Sequence, residues 1–146
     1  MAIEVRASYT DSFDHSFDGK GRITVPSDWR GPFFETSLFV FPSSERCLRV
    51  YPASWLGNLQ EDVKKLKSAD PMRRGVEDLA TKAQSAVIDS QGRIMIKEKL
   101  REGAGLKKDT MMVGRLDHFQ IWPKEAWEQK SVAAMTVEEA LSAIGL

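Results

Sequence analysis

An internal repeat restricts the folds open to this 146-residue chain more than any other feature of its sequence. Residues 18–26 (DGKGRITVP) match residues 89–97 (DSQGRIMIK) at an offset of 71. The same offset relates Trp29-Arg30 to Leu100-Arg101 and residues 48–52 to residues 119–123, and a tryptophan follows each of the last two segments. Blocks that recur in one order at one offset indicate a duplicated unit of about 70 residues.

The residue pattern predicts four short strands in each unit. In the first unit, apolar or aromatic residues alternate with polar ones from Phe13 to Phe17, which is typical of a half-buried strand. Asp18 and two glycines then form a turn, and a short helical turn is expected at residues 27–30. The predicted strands are 13–17, 22–25, 38–41 and 47–51 in the first unit, and 86–89, 92–96, 110–114 and 119–122 in the second.

Helices are predicted to close each unit. Apolar residues at helical spacing follow Pro52 as far as Leu66, and a second apolar face runs from Met72 to Ala83. Asp70-Pro71 has the form of an N-cap followed by proline at the first helical position. A shorter helix is expected after Pro123, and residues 136–139 (TVEE) have the capping-box pattern of one more.

A unit of this size, with four short strands, can bury little core by itself. Two such units in one chain would most simply pack against each other as a pseudo-dimer. We therefore predict a mainly β fold with flanking helices (α+β). The expected boundaries are a first repeat with its closing helix over 11–68, a second repeat with its leading helix over 70–130, and a C-terminal helical tail over 131–146.

Composition narrows the class of protein. The single cysteine, Cys47, excludes an intramolecular disulfide framework and a four-thiolate zinc site, and its place in a predicted strand indicates a core thiol. Neither a signal peptide nor an apolar run of about 20 residues is evident, so we expect a soluble cytoplasmic protein without membrane contact. With 21 Lys+Arg against 21 Asp+Glu, the formal net charge is zero, which at first argues against a nucleic-acid-binding protein.

Two segments nevertheless resemble the MraZ family of bacterial transcriptional regulators: residues 13–26, and residues 89–94 with 100–106 following. The resemblance covers about residues 11–130, and its most specific element is a paired D-x-x-x-R motif, Asp18/Arg22 and Asp89/Arg93, with a glycine before each arginine. The sequence departs from the family at Lys97, where a proline matching Pro26 is common, and in its C-terminal tail.

The resemblance implies a fold, an assembly and a function. The fold would be two SpoVT-AbrB-like swapped-hairpin units packed as a pseudo-dimer barrel within one chain. The chains would assemble into a homo-oligomeric ring, commonly an octamer. The ring would bind short tandem repeats of double-stranded DNA in the promoter of its own cell-division and cell-wall operon, acting as a transcriptional regulator in the cytoplasm at the nucleoid.

The two D-x-x-x-R loops would then be the DNA-binding elements. A guanidinium can contact guanine O6 and N7 together or clamp a phosphate, whereas the carboxylates would bond the turn backbone or aim the arginine. The alternative is purely structural, because an Asp and an Arg around a glycine turn can form a salt bridge of a hairpin. The first loop has Lys20 where the second has Gln91, so we expect it to dominate DNA contact. The candidate residues are Asp18, Lys20, Gly21, Arg22, Asp89, Gln91, Gly92 and Arg93.

Two other classes of function were weighed against this hypothesis. An AbrB-like antitoxin, or an oligomeric protein-binding module, would keep the fold and use the helical tail to capture a protein partner. An enzyme is not expected, because no nucleophile–base pair or metal triad stands out, and neither a cofactor nor a small-molecule substrate is predicted. Arg73-Arg74 fits either a solvated helix face or a contact between subunits.

The D-x-x-x-R motifs change how the zero net charge is interpreted. The positive charge that would contact DNA is local, at Lys20, Arg22 and Arg93, and assembly into a ring would multiply it.

Overall fold

The computed structural model describes residues 7–130 and 135–146 of the chain. Its strands are β1 (Ser12–Ser16), β2 (Arg22–Thr24), β3 (Ser37–Pro42), β4 (Leu48–Pro52), β5 (Gln84–Val87), β6 (Arg93–Met95), β7 (Asp109–Gly114) and β8 (Phe119–Pro123). Its helices are α1 (Ala53–Lys64), α2 (Pro71–Ala80), α3 (Glu98–Gly103), α4 (Lys124–Gln129) and α5 (Val137–Ala143), with a 3-10 turn at Ser27–Trp29.

The two repeats are interleaved rather than placed side by side. Six strands form one antiparallel sheet in the order β1-β7-β8-β4-β3-β5, and β2 pairs with β6 in a separate ladder. The first strand of each repeat therefore pairs with the third strand of the other, β1 with β7 and β5 with β3. The prediction of a mainly β fold with flanking helices, built from two swapped units, is confirmed.

The pairing has approximate two-fold symmetry, and the register shows where the axis lies. Ile23 of β2 lies opposite Ile94 of β6, and Arg49 of β4 lies opposite Gln120 of β8. Each pair joins a residue to its own equivalent 71 positions later. In an antiparallel ladder a residue that faces its equivalent marks the axis, so the axis passes through both ladders and relates the two D-x-x-x-R turns.

The core lies between the ladder and the large sheet and draws side chains from both repeats. Trp29 is 2% exposed and stacks on Phe119 with ring centroids 4.9 Å apart, while its indole N–H donates to the carbonyl of Thr10 at 2.9 Å. Ile23 and Ile94 are both buried beneath the ladder. Burying one such aliphatic or aromatic side chain stabilises the fold by roughly 1.5–3 kcal/mol, so each repeat depends on the other for its stability.

The helix starts were predicted well, whereas several other element boundaries differ by two or three residues. The Asp70 carboxylate accepts the N–H of Met72 at 2.8 Å, and Thr136 with Glu139 forms the reciprocal capping box of α5. However, α2 ends at Ala80 rather than Ala83, and β5 begins at Gln84 rather than Ala86. Of the tail predicted over 131–146, residues 131–134 lie outside the described residues. No helix in the described part of the chain is long and apolar enough to cross a membrane.

Candidate nucleic-acid interface

The two D-x-x-x-R motifs form two turns of the same construction. In the first turn, one oxygen of Asp18, Oδ1, accepts the backbone N–H groups of Lys20 and Arg22, both at 2.9 Å. The N–H of Gly21 closes the turn by donating to the Asp18 carbonyl at 3.2 Å. In the second turn Asp89 accepts the N–H groups of Gln91 and Arg93 at the same distances. The aspartates therefore build the turns.

The second oxygen of each aspartate holds the arginine of its own motif. Arg22 Nε donates to Asp18 Oδ2 at 2.6 Å, and Arg93 Nε donates to Asp89 Oδ2 at 3.2 Å. The hydrogen bond from the Arg22 backbone is the main cause that lowers the pKa of Asp18 to about 2, and the equivalent bond from Arg93 lowers the pKa of Asp89. Both carboxylates are therefore charged at neutral pH. The two roles considered for them, bonding the turn and aiming the arginine, occur together.

The ladder between β2 and β6 directs both arginines to the same outward face. Because side chains alternate along a strand, the buried Ile23 and Ile94 require Arg22 and Arg93 to point away from the core. The two arginine Cα atoms sit diagonally across the ladder, about 8 Å apart by sheet geometry. Within the described residues, the Nη1 and Nη2 atoms of both guanidinium groups make no hydrogen bond. Each fork therefore keeps two terminal nitrogens for an external acceptor.

Two further arginines, which the sequence analysis did not select, flank these turns. Arg30 Nε donates to the carbonyl of Val25 at 2.8 Å, and Arg101 Nε donates to the carbonyl of Ile96 at 2.9 Å. Both are repeat equivalents, since they share the offset of 71, and that match was the only signal of them in the sequence. Each guanidinium lies close to the turn glycine of the opposite repeat, so four arginines in two symmetric pairs surround the two turns.

The remaining predicted residues shape the turns or form their tips. Gly21 and Gly92 have φ values of +78° and +80°, a conformation that glycine adopts without strain. Lys20 and Gln91 are exposed at the tips of their turns. The eight predicted residues are thus brought together in two adjoining turns. Within residues 7–130 and 135–146, no cluster of three His, Cys, Asp or Glu side chains could hold a metal ion.

Comparison with known proteins identifies the family. The sequence profile of the family described as "MraZ protein, putative antitoxin-like" matches this chain twice, over residues 9–78 and 79–141. The chain belongs to the MraZ family. Each of the two matched segments contains one complete D-x-x-x-R turn, Asp18–Arg22 in the first and Asp89–Arg93 in the second. Membership of the MraZ family, expected from these motifs, is confirmed.

Curated relatives from several bacteria carry the name transcriptional regulator MraZ. The relative from Lachnoclostridium phytofermentans is 35% identical over 139 residues, which covers 94% of this chain and 98% of that protein. The relative from Corynebacterium urealyticum is 34% identical over 84% of this chain and 85% of its own length. The relative from Shewanella frigidimarina is 34% identical over 79% of each chain. These MraZ proteins therefore match this chain across both repeats.

Proposed function

We propose that this chain is a sequence-specific DNA-binding transcriptional regulator that reads short tandem repeats in the promoter of a cell-division and cell-wall operon. The observation that supports this most directly is the face with two aspartate-anchored arginines, Arg22 and Arg93, related by the pseudo-two-fold axis. A held guanidinium with two unused terminal nitrogens suits a guanine edge or a phosphate. The names of the curated relatives support the regulatory role.

The charge distribution indicates how such a protein would bind. The formal net charge is zero, so the positive charge available for DNA is local, at Lys20 and the four arginines around the two turns. One chain would make few contacts, whereas several tethered chains on tandem repeats could raise overall affinity by about 10²–10⁴. We propose that the protein acts in the cytoplasm at the nucleoid as a homo-oligomeric ring, an octamer in the form that the family resemblance implies.

The proposal assigns a role to each part of the chain. The first repeat, 11–68, and the second repeat, 70–130, each contribute one DNA-binding turn, and the tail, 131–146, serves contacts between proteins. The DNA-binding residues are Asp18, Lys20, Gly21 and Arg22, with Asp89, Gln91, Gly92 and Arg93. Binding and regulation, rather than catalysis, would be the whole activity, and it would need neither a cofactor nor a small-molecule substrate.

A binding titration tests the proposal. Fluorescence anisotropy would compare labelled duplexes from upstream of the protein's own gene that contain one repeat or several tandem repeats. We expect much tighter binding to the tandem duplex and loss of binding in the Arg22→Ala, Arg93→Ala double variant. Arg74→Ala, an exposed arginine on α2, is the matched control and should bind like the wild type. Equal affinity for one and for several repeats would contradict the proposal.

A second candidate function is an antitoxin-like or protein-binding role, which the description of the family as antitoxin-like favours. This role would not need the arginine face. A pull-down that recovered a stoichiometric small protein, from a chain that showed no DNA preference in the titration above, would support this candidate and displace the first.

A further inference from the structure

Helix α5 presents an apolar face that has no partner within the described part of the chain. Val137, Leu141 and Ile144 are 70%, 42% and 71% exposed, and their spacing of four and three residues aligns them on one side of the helix. Glu139 and Ser142 lie on the opposite side. The capping box stabilises the start of α5, so the apolar side chains of the helix form a defined surface.

An open apolar groove lies elsewhere on the same chain. It runs between α1 and α2, over β3 and β5, and has a volume of about 430 Å³. Its walls are mainly the apolar side chains of both helices, with Phe39 and Phe41 of β3 as the floor. A second cavity of about 250 Å³ shares Phe41 and Leu79 with it and continues to Arg49 and Tyr51. Because they share these two residues the cavities adjoin, and together we call them the α1–α2 groove.

The charged side chains around the two surfaces allow ion pairs between them. The α1–α2 groove is bordered by three basic residues that each have an acidic neighbour: Lys64 with Glu61 at 3.2 Å, Arg73 with Glu77 at 3.2 Å and Arg49 with Glu45 at 3.4 Å. The segment 135–146 contains Glu138 and Glu139 and no basic residue. Exposed ion pairs contribute little to stability, so these basic side chains can exchange partners with the glutamates of an acidic helix that lies over the apolar floor of the groove.

We propose that α5 of one copy of this chain docks in the α1–α2 groove of a second copy. Within one chain α5 leaves the groove open, and it follows α4, which packs on β7 and β8, whereas the groove lies on β3 and β5. The contact joins two different surfaces, so each copy still has one free groove and one free helix. Such a contact repeats from copy to copy and closes into a ring if the rotation allows.

This inference rests on the oligomer of the proposed function and names its contact surfaces, but it does not depend on DNA binding. The first test is the mass in solution by light scattering. Leu141→Asp places a charge on the apolar side of α5 and should reduce the oligomer to single chains, whereas Ser142→Asp, on the opposite side, should keep the wild-type mass. A wild-type mass for Leu141→Asp, or a wild-type protein that is itself monomeric, would overturn the proposal.

Cysteine cross-linking tests which copy supplies the helix. Leu141→Cys in a tagged chain would be mixed with Leu79→Cys in an untagged chain, while the native Cys47 is buried. We expect a disulfide-linked species of both chains on a non-reducing gel. A link that forms only when both cysteines are in one chain would place α5 in its own groove, and no link at all would exclude the groove; either result overturns the proposal. If the link forms but the anisotropy titration fails, only the DNA-binding function is refuted.

Discussion

The guanidinium of Arg30 in the first repeat lies against the Cα atom of Gly92 in the second repeat. A Cβ atom at Gly92 would come within 2.7 Å of Arg30 Cζ and Nη1. The symmetric contact has the same form, because a Cβ at Gly21 would come within 2.9 Å of Arg101 Nη2. Each D-x-x-x-R turn is therefore covered by an arginine from the other repeat.

These contacts predict a strong dependence on the two turn glycines. Gly21→Ala and Gly92→Ala would each force a side chain into a positive φ and against an arginine, and we expect a loss of stability of about 1–3 kcal/mol. Gly19→Ala is the matched control, because nothing lies within 4 Å of its added Cβ. Denaturant unfolding would measure all three variants. Similar stabilities for Gly19→Ala and Gly21→Ala would show that the arginine contacts do not constrain the turn.

Lys97 occupies the position of Pro26, and the structure explains why a proline would be unfavourable there. The backbone N–H of Lys97 donates to Gln84 Oε1 at 2.9 Å, and Gln84 Nε2 donates to the carbonyl of Met95 at 2.7 Å. We expect Lys97→Pro to destabilise the protein by about 1–3 kcal/mol, because it leaves the oxygen of the buried Gln84 without its donor.

The control for this prediction is Glu98→Pro. Glu98 is the first residue of α3, a position where proline is favourable. Thermal unfolding of the two variants should therefore separate them clearly. A Lys97→Pro protein as stable as Glu98→Pro would mean that the Gln84 bridge contributes nothing measurable.

The Asp18 carboxylate predicts an acid-sensitive component of stability. Its pKa is lowered from 3.8 to about 2 in the folded protein, chiefly by the hydrogen bond from the Arg22 backbone. Because the folded pKa is the lower one, this stabilisation is complete above about pH 4 and is lost as the pH falls toward 2. Asp18→Asn should flatten the dependence of the unfolding midpoint on pH in that window.

The two arginines should not contribute equally to DNA binding. The first turn has Lys20 at its tip where the second has Gln91, so we expect Arg22→Ala to weaken operator binding more than Arg93→Ala, by about tenfold or more for the former. Lys20→Gln should reduce both this difference and the dependence of affinity on salt. Mobility-shift titrations at two salt concentrations would measure both effects. Equal losses for the two arginine variants would refute the asymmetry.

The fold could be predicted from the sequence because the same pattern of strands and turns occurs in both repeats. The alternation from Phe13 to Phe17 matches the observed burial of β1, and the residue types at Asp18 and Asp89 predicted both turns. The predicted start of β5 was wrong because Gln84 is polar and was therefore left outside the strand. In the structure Gln84 is buried, and both the oxygen and the nitrogen of its side-chain amide are hydrogen-bonded to the backbone. A residue-by-residue pattern contains no information about such distant partners.

The candidate site was predictable only where its parts are adjacent in sequence. Asp18 and Arg22 are four residues apart in the motif, so the ion pair between them could be predicted from the sequence. Arg30 and Arg101 could not be selected in the same way, because what brings each to the site is contact with a glycine of the other repeat. The end of α2 at Ala80 involves a local contact that an apolar pattern does not reveal. The Thr81 hydroxyl donates to the Asp78 carbonyl at 2.7 Å just after the helix ends.

The exchange of strands between repeats also has a consequence for how the protein is made. Among the strands of residues 7–130 and 135–146, β1 pairs only with β7, whose residues follow it by 93 to 101 positions. A ribosome adds about 5–20 residues per second, so β7 is synthesised roughly 5–20 s after β1, and until then β1 has no partner strand. During that interval the nascent first half is an open template for strands of neighbouring chains. The length of this interval depends on the order of the strands in the sequence and on the rate of translation. Substitutions that stabilise the folded protein therefore cannot shorten the interval.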